Sequence, residues 1–264
     1  MPPYLPLPQY LTAGNTNPMF VQSRSPTILI TRPEAQSQRF ASQIRERCGP
    51  VSMVISPLMA PEYFIPHLPD KTFSAIAFTS ETAVESARRI SAAGVALPSR
   101  AYCVGRHTAD AARAAGFASH SADGDVDNLF DLIRASRLTG SLLYFRGNDS
   151  VGDLKNTLNL AGIETYSVTT YRQKSLAFNL HAKQILTANS PVIVPLFSPR
   201  SAQLFLSELR RVDATSLLWV AALSANVAAT FVAQPIDRLQ IAVDPNGKAM
   251  LDAVELLIDC HTGS

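Results

Sequence analysis

Two short phrases each occur twice in this chain at the same spacing, and this repeat limits the folds that the chain can adopt. Residues 78–83 (FTSETA) resemble residues 197–202 (FSPRSA), and residues 105–109 (GRHTA) line up with residues 224–228 (SANVA). In both cases 119 positions separate the two copies. One shared phrase arises easily by chance, whereas two at the same spacing indicate a duplicated domain.

A third pair of phrases gives the order of the two copies. Residues 30–33 (ITRP) match residues 144–147 (YFRG) at a separation of 114 positions. Residues 30–33 lie near the start of the chain, whereas residues 144–147 lie near the end of the middle segment. One copy of the domain is therefore interrupted by the other. We therefore predict two similar domains, of which one is discontinuous.

The predicted domain boundaries follow from this order. The discontinuous domain takes residues 26–60 and 173–264, and the inserted domain takes residues 65–168. Two strands, at 57–64 and 169–174, must then cross between the domains. We expect these strands to form a two-stranded connector that acts as a hinge, because few side chains hold such a connection in one geometry.

Short apolar segments alternate with helical patterns from Thr27 onward, which is typical of a parallel sheet flanked by helices. The predicted fold class is α/β, with two similar, flavodoxin-like parallel-sheet domains joined by a β connector. The alternative is a single doubly wound domain in which the repeated phrases are coincidental. The predicted strands are 28–30, 51–55, 75–78, 101–104, 142–145 and 166–171, and the predicted helices are 33–47, 151–161 and those that begin at Ser80 and near Arg106.

Composition and charge exclude several classes of protein. The chain is 47% hydrophobic and 17% charged, with a net charge of +2, so we expect a globular enzyme and no nucleic-acid partner. No apolar run reaches the roughly 18 residues of a membrane-spanning helix, so no membrane partner is expected. Cys48, Cys103 and Cys260 share no short spacing with one another or with the histidines. We therefore expect no metal site and a reducing, cytoplasmic location.

Residues 1–25 differ from the rest of the chain in composition. They include five prolines and one arginine but no acidic residue. The prolines prevent the amphipathic helix of a transit peptide, and the apolar core of a secretory signal is missing. We predict a disordered tail, with Met19 as an alternative start of translation.

Hydroxyl and cationic side chains follow several of the predicted strands. Ligands of open α/β sheets bind outside the carboxyl ends of the strands, and free N–H groups at helix starts hold carboxylates or phosphates. Two facing domains would present several such turns to a ligand with many negative groups. The simpler alternative is that the hydroxyls only cap helices and the arginines are solvated. The candidates are Arg32, Thr79, Ser80, Thr108, Arg146, Ser198 and Ser201.

Motifs of several well-known chemistries are missing from the sequence. The chain has no Gly-x-Gly-x-x-Gly after a strand, no Walker-type loop and no Gly-x-Ser-x-Gly. No pair of carboxylates stands out for acid–base catalysis. These absences favour a protein that binds its ligand and catalyses mainly by holding it in a reactive geometry.

In their order along the chain, the phrases resemble the uroporphyrinogen-III synthase family over nearly all residues after the tail. The resemblance implies two α/β domains and the substrate hydroxymethylbilane, a linear tetrapyrrole with eight carboxylates. It implies an enzyme that removes the terminal hydroxyl as water and closes the ring, with the last pyrrole inverted through a spiro intermediate, to give uroporphyrinogen III. It implies no cofactor and a monomer. The residues that carry the resemblance are 30–33 (ITRP), 78–84 (FTSETAV), 104–109 (VGRHTA), 145–147 (FRG), 171–172 (YR) and 197–202 (FSPRSA).

The resemblance also assigns roles to single residues. Tyr171 falls on the tyrosine of the second crossing strand, which in the family is the best candidate to assist departure of the hydroxyl. The substrate-binding residues predicted on this basis are Gly105, Thr108, Ser198, Arg200 and Ser201.

The chain departs from the family pattern in two places. Family members have a glycine and then a threonine where this chain has residues 224–227 (SANV), so Ser224 or Asn226 would have to substitute as donors. The second arginine expected beyond Arg146 is also missing, and Val151 lies near that place.

Two alternatives from other classes remain. A non-catalytic relative, which would be a hinged anion- or tetrapyrrole-binding protein, agrees with the altered residues 224–227. A receiver or flavodoxin-like signalling domain would need acidic residues at strand ends or a hydroxyl-rich loop after the first strand. Arg32 and Pro33 follow that strand instead.

Overall fold

A computed structural model describes residues 25–149 and 153–262 of the chain. The predicted tail therefore lies outside the described residues apart from Ser25, and so does Val151. The strands are, in chain order, β1 (Thr27–Ile30), β2 (Met53–Ile55), β3 (Met59–Tyr63), β4 (Phe73–Phe78), β5 (Arg100–Cys103), β6 (Ala118–Ser121), β7 (Ser141–Gly147), β8 (Thr165–Ser175), β9 (Val192–Leu196), β10 (Leu218–Ala222) and β11 (Arg238–Ile241).

The helices alternate with these strands along the chain. They are α1 (Glu34–Cys48), α2 (Glu81–Ala92), α3 (Arg106–Ala114), α4 (Val126–Ala135), α5 (Leu154–Leu160), α6 (Leu180–Thr187), α7 (Pro199–Leu209), α8 (Ala225–Ala228) and α9 (Gly247–Thr262), and a single 3₁₀ turn (Ala229–Phe231) follows α8.

The strands form two separate sheets. The first sheet has the order β11-β10-β9-β1-β2 and is parallel throughout. The second has the order β3-β8-β7-β4-β5-β6 and is parallel except for β3, which pairs antiparallel with β8. The prediction of two α/β domains is confirmed, and the alternative of a single doubly wound domain is wrong.

The two sheets have the same strand order, with the chain cut at a different point in each. Strands β1, β2, β9, β10 and β11 of the first sheet occupy the places of β7, β8, β4, β5 and β6 in the second. The third repeated phrase agrees with this equivalence, because residues 30–33 lie at the carboxyl end of β1 and residues 144–147 at the carboxyl end of β7. In domain order, the first sheet reads 2-1-3-4-5, as in flavodoxin-like folds.

Each sheet is buried on both faces by helices, as parallel sheets require. In the first sheet Ile28 and Ile30 face α1 and α9, whereas Leu29 faces α6, α7 and α8. In the second sheet Ile76 and Phe78 face α2 and α3. The residues that alternate with them, Ala75 and Ala77, face α4 and α5. The alternation of strand side chains thus supplies two cores in each domain.

Two elements of the second domain are missing from the sequence prediction. Strand β6 has the sequence ASHS and lies at a sheet edge, so it lacks the apolar run that would have identified it. Helix α4 does carry a signal: Asp125 and Asn128 form a reciprocal capping box, and Leu129 and Ile133 are buried four residues apart.

Strands β3 and β8 form the predicted two-stranded connection. They pair antiparallel from Met59 opposite Ser175 to Tyr63 opposite Tyr171. The first half of β8 pairs with β7 inside the second sheet, so the connector is a continuation of that sheet. The hinge and the domain boundaries at 26–60, 65–168 and 173–264 stay predictions. Among the described residues, no helix has the length and apolar character needed to span a bilayer.

The Glu164 carboxylate joins the starts of neighbouring strands in the second sheet. It accepts hydrogen bonds from Lys71 at 2.5 Å and Tyr166 at 2.7 Å, and also from Ser141. The hydrogen bond from Lys71, supported by the bonds from Ser141 and Tyr166, lowers the pKa of Glu164 to about 2.

We predict that Glu164→Gln lowers the melting temperature at pH 7. A depressed pKa stabilises the fold above the pKa of the unfolded chain, about 4.3, and this contribution disappears as pH falls toward 2. The deficit of the variant should therefore shrink between these values in thermal melts recorded across pH. Glu46→Gln, at an exposed position of α1, is the control, and a deficit independent of pH would contradict the assignment.

Candidate active site

The carboxyl ends of the strands in the two sheets face each other, and two ion pairs join them. Arg39 in α1 binds Glu81 at the start of α2, with distances of 3.1 and 2.9 Å. Arg200 at the start of α7 binds Asp149, which follows β7, at 2.9 Å. A cavity of about 730 Å³ lies between the domains. Residues that line this interdomain cavity include Arg39, Pro61, Tyr63, Thr79, Ser80 and Thr108.

Three predicted binding residues, Thr79, Ser80 and Thr108, line the interdomain cavity together. Ser80 is in an extended conformation and caps α2, because its Oγ accepts the N–H of Ala83 at 3.1 Å. Thr108 is the third residue of α3 and is 6% exposed. These positions place two helix starts and their hydroxyls along one wall of the cavity, which suits carboxylate binding.

Gly105 precedes α3 with no side chain to cap it. Its φ of −151° is extended backbone that any residue adopts, and a Cβ there would meet only Gly124 O at 3.9 Å. The backbone conformation therefore does not require glycine. If Gly105 contributes to ligand binding, it does so because the lack of a side chain lets a ligand approach the backbone closely.

A bulge in β8 positions Tyr171. The pairing with β7 jumps from Arg146 opposite Thr169 to Gly147 opposite Tyr171, so Thr170 is an extra residue. Thr170 and Tyr171 are consecutive in sequence and both buried, which a regular strand with alternating faces would not allow. Bulges of this kind redirect a side chain next to functional sites.

The Tyr171 ring packs directly over Gly147. A Cβ built on Gly147 would lie 2.7 Å from Tyr171 Cε2 and 3.0 Å from its hydroxyl oxygen, so the tyrosine requires glycine at this position. The Tyr171 hydroxyl is 3.0 Å from Oγ of Ser80, which lines the interdomain cavity, whereas Tyr171 itself is not part of the described lining. Only 8% of Tyr171 is exposed.

Burial raises the pKa of Tyr171, and the hydrogen bond with Ser80 opposes this effect only in part. The phenol is therefore protonated at neutral pH and able to donate a proton or hydrogen bond. Arg146 and Asp149 act on the Tyr171 phenol electrostatically, and Tyr144 lies nearby, with its hydroxyl 3.4 Å from Thr79 Oγ1. Arg146 also donates to Gly147 O at 3.3 Å. Tyr171 thus lies among the polar groups of the second domain.

Arg32 follows β1 and packs over Phe197, with its guanidinium carbon 3.8 Å from the ring centroid. Its Nε donates to Gln36 at 3.2 Å. Burial lowers the pKa of Arg32, and the positive charge of Arg39 adds to this effect. The residue lies next to Pro33, which lines the cavity, but is not itself part of the lining.

The hydroxyls of Ser198 and Ser201 are used in capping α7. Ser198 Oγ accepts the N–H of Ser201 at 3.1 Å, and Ser201 Oγ accepts the N–H of Ser198 at 3.0 Å. Ser201 Oγ also donates to the Ser198 carbonyl at 2.7 Å. Both hydroxyls are therefore engaged in local hydrogen bonds that cap α7.

The altered phrase at residues 224–227 surrounds a helix of only four residues, α8. Ser224 precedes it without a side-chain cap, Asn226 is exposed, and Val227 is 1% exposed in the core. A helix this short concentrates little dipole at its start. Ser224 and Asn226 lie outside the described lining of the cavity, as do Ser198, Ser201 and Arg200.

The sequence did not identify Arg39, Asp149 or the role of Gly147. Arg39 is one of several exposed arginines on an amphipathic helix, and its proximity to Glu81 depends on how the two domains face each other. Gly147 was singled out only as part of a phrase, whereas its contact with Tyr171 depends on the bulge. Among the described residues, no group of three or more His, Cys, Asp or Glu side chains is arranged to hold a metal ion.

The fold and site define a class of two-domain α/β protein with a ligand cavity between opposed strand ends. A family model described as "Uroporphyrinogen-III synthase HemD" matches residues 38–252. The chain belongs to the uroporphyrinogen-III synthase family.

Solved structures of this family are similar to the chain. Uroporphyrinogen-III synthetase from Helicobacter pylori has a TM-score of 0.57 at 19% identity, over 88% of this chain and 99% of that one. A mutant uroporphyrinogen III synthase from the thermophile Thermus thermophilus has a TM-score of 0.47 at 15% identity, over 89% and 99%. No curated protein matches the chain. The Helicobacter structure supports the two-domain fold.

We predict that Gly147→Ala disturbs the site through Tyr171. The added methyl would lie 2.7 Å from the ring, so the tyrosine must move away from Ser80. Overpacking of this kind costs about 1–3 kcal/mol, and we expect a lower melting temperature together with an altered Tyr171 environment in ultraviolet difference spectra. Gly247→Ala is the control, because a Cβ there meets nothing within 4 Å. A Gly147→Ala variant as stable as this control would show that the contact is wrongly assigned.

Proposed function

We propose that the chain is a uroporphyrinogen-III synthase, which converts linear hydroxymethylbilane to uroporphyrinogen III with inversion of the last pyrrole ring. The observation that carries the proposal is the contact between the Tyr171 hydroxyl and Ser80 Oγ at 3.0 Å, because Ser80 lines the interdomain cavity and Tyr171 lies directly behind it. A member of this family needs a proton donor close to the space between the two domains, and the contact with Ser80 supports Tyr171 as that donor.

The substrate is held by groups that suit its eight carboxylates. The starts of α2 and α3 offer free backbone N–H groups beside Thr79, Ser80 and Thr108. Positive charge is supplied in both domains by Arg32 after β1, Arg146 near the end of β7 and Arg200 at the start of α7. Ser198, Gly105, Ser201, Ser224 and Asn226 stay candidates, with Ser198 and Ser201 acting through the start of α7 rather than through free hydroxyls.

Tyr171 assists the first chemical step. Its phenol donates a hydrogen bond, and then a proton, to the terminal hydroxyl of the bilane as the carbon–oxygen bond breaks and water leaves. The raised pKa of Tyr171 keeps this proton in place at neutral pH. The electron pair of the adjacent pyrrole stabilises the cationic carbon that forms.

Ring closure depends on position rather than on a further catalytic group. The two domains hold the reactive carbon against the substituted carbon of the last pyrrole, from which the spiro intermediate rearranges. Orientation of this kind contributes roughly 7–11 kcal/mol to lowering a barrier. Enclosure between the domains also keeps water away from the cation. Water that reached the cation would add to it and reverse the first step.

The reaction places the chain among the lyases, since water is eliminated. It needs no redox cofactor, because no electrons are exchanged with the substrate. A monomeric state and a cytoplasmic location complete the proposal. The free Cys48 and Cys103 thiols support a reducing compartment.

The proposal predicts that the protein directs hydroxymethylbilane to the type III isomer. Bilane left alone closes spontaneously to the type I isomer, so the oxidised porphyrin isomers are separated by chromatography after the reaction. A predominance of type III supports the synthase. A predominance of type I would favour the non-catalytic binding relative, with residues 224–227 as the first suspects.

We further predict that Tyr171→Phe lowers kcat by roughly 10²- to 10⁴-fold, the usual range for loss of a general acid. KM for hydroxymethylbilane should change little, because the proton is needed in the transition state. Tyr102→Phe is the matched control, since Tyr102 is buried on the opposite face of the same sheet. Equal rates for Tyr171→Phe and the wild type would exclude Tyr171 as the donor.

A further inference from the structure

Charged side chains of both signs line the interdomain cavity. Glu34, Glu81 and Glu85 are among the described residues of the lining, together with Arg39 and Arg88. Arg88 binds Glu85 within α2 at 2.7 and 2.8 Å, so that pair is local. A ligand with many carboxylates is repelled by the glutamates. Binding of such a ligand therefore requires a cationic side chain that can release its carboxylate partner in the protein and bind a ligand carboxylate instead.

Arg39 meets this requirement. Its guanidinium makes a two-pronged contact with Glu81, which belongs to the other domain. The two side chains are 45% and 35% exposed, and ion pairs in contact with water are weak. A guanidinium fork binds any carboxylate in the same geometry. A ligand carboxylate can therefore replace Glu81 without rearrangement of the arginine.

Arg32 increases the positive charge next to Arg39. The pKa of Arg32 is lowered mainly by burial and further by the charge of Arg39, which lies close enough to repel it. The described contacts of Arg32 are with neutral groups, the amide of Gln36 and the ring of Phe197. The two arginines therefore lie close enough to repel each other beside the cavity, and a ligand carboxylate would relieve this repulsion.

We propose that Arg39 is a carboxylate-binding residue of the interdomain cavity and that Glu81 occupies it as an internal competitor when the cavity is empty. Binding exchanges the Glu81 carboxylate for one from the tetrapyrrole, so the interdomain ion pair opens as the ligand enters. The inference rests on the proposed function, because it takes the ligand to be a polycarboxylate tetrapyrrole.

The two halves of the ion pair should have opposite effects on binding. We expect Arg39→Gln to weaken binding of uroporphyrin III, a stable tetrapyrrole with eight carboxylates, by roughly three- to tenfold. We expect Glu81→Gln to strengthen binding by roughly two- to threefold, since it frees Arg39 and removes a negative charge. Both affinities are measured by titration of the porphyrin fluorescence with the full-length protein.

A purely structural ion pair predicts a different result. If the contact only fixes the domains, both variants lose it and both affinities move in the same direction. That outcome, or an unchanged affinity of Arg39→Gln, would overturn the proposal. Arg47→Gln is the matched control: Arg47 lies in the last turn of the same helix and pairs with Asp252 and Glu255. Its affinity should equal that of the wild type, and thermal melts of all variants show that they are folded.

The binding test is independent of turnover. If the wild type makes no type III isomer but the two variants shift affinity in opposite directions, the proposed function fails and the assignment of Arg39 stands. If the wild type makes type III and both variants weaken binding, the assignment of Arg39 fails and the function stands.

Discussion

The double pairing of β8 determines where the functional groups of this protein lie. Its first half completes the parallel sheet beside β7, and its second half pairs antiparallel with β3 in the connector. The two pairings meet at Tyr171, which is opposite both Gly147 of β7 and Tyr63 of β3. The extra residue Thr170 just before it leaves Tyr171 buried beside Gly147 and within hydrogen-bond distance of Ser80. The same strand therefore joins the two domains and carries the proposed proton donor.

The cavity has no strong positive field of its own. In our proposal a polyanionic ligand binds because its carboxylates replace protein carboxylates at arginine side chains. The net charge of the chain is only +2, and glutamates as well as arginines line the cavity. Attraction for a polyanion must then come from helix starts and from arginines whose protein partners can be replaced. The pairs Arg39–Glu81 and Arg200–Asp149, both partly exposed and both between domains, have this property.

Much of the fold was predictable from the sequence, because the signals are local and repeated. Two phrases at one spacing and a third at another predicted two similar sheets with a permuted order, and Ser80 was identified as a helix cap from its position before an apolar helical pattern. The polar edge strand β6 gave no such signal. At the site, the meeting of Ser80 with Tyr171 and of Arg39 with Glu81 joins residues 91 and 42 positions apart. These contacts depend on a one-residue bulge and on domain orientation, which no local pattern encodes.

The proposed function requires that a tetrapyrrole binds between the two sheets with the Tyr171 hydroxyl directed at it. A crystal structure of the protein with uroporphyrinogen III, grown without oxygen, tests this claim most directly. We predict the tetrapyrrole in the interdomain cavity, with carboxylates at the starts of α2 and α3 and the Tyr171 hydroxyl facing the ring. A tetrapyrrole bound on the outer surface of one domain, away from Ser80 and Thr108, would contradict the account.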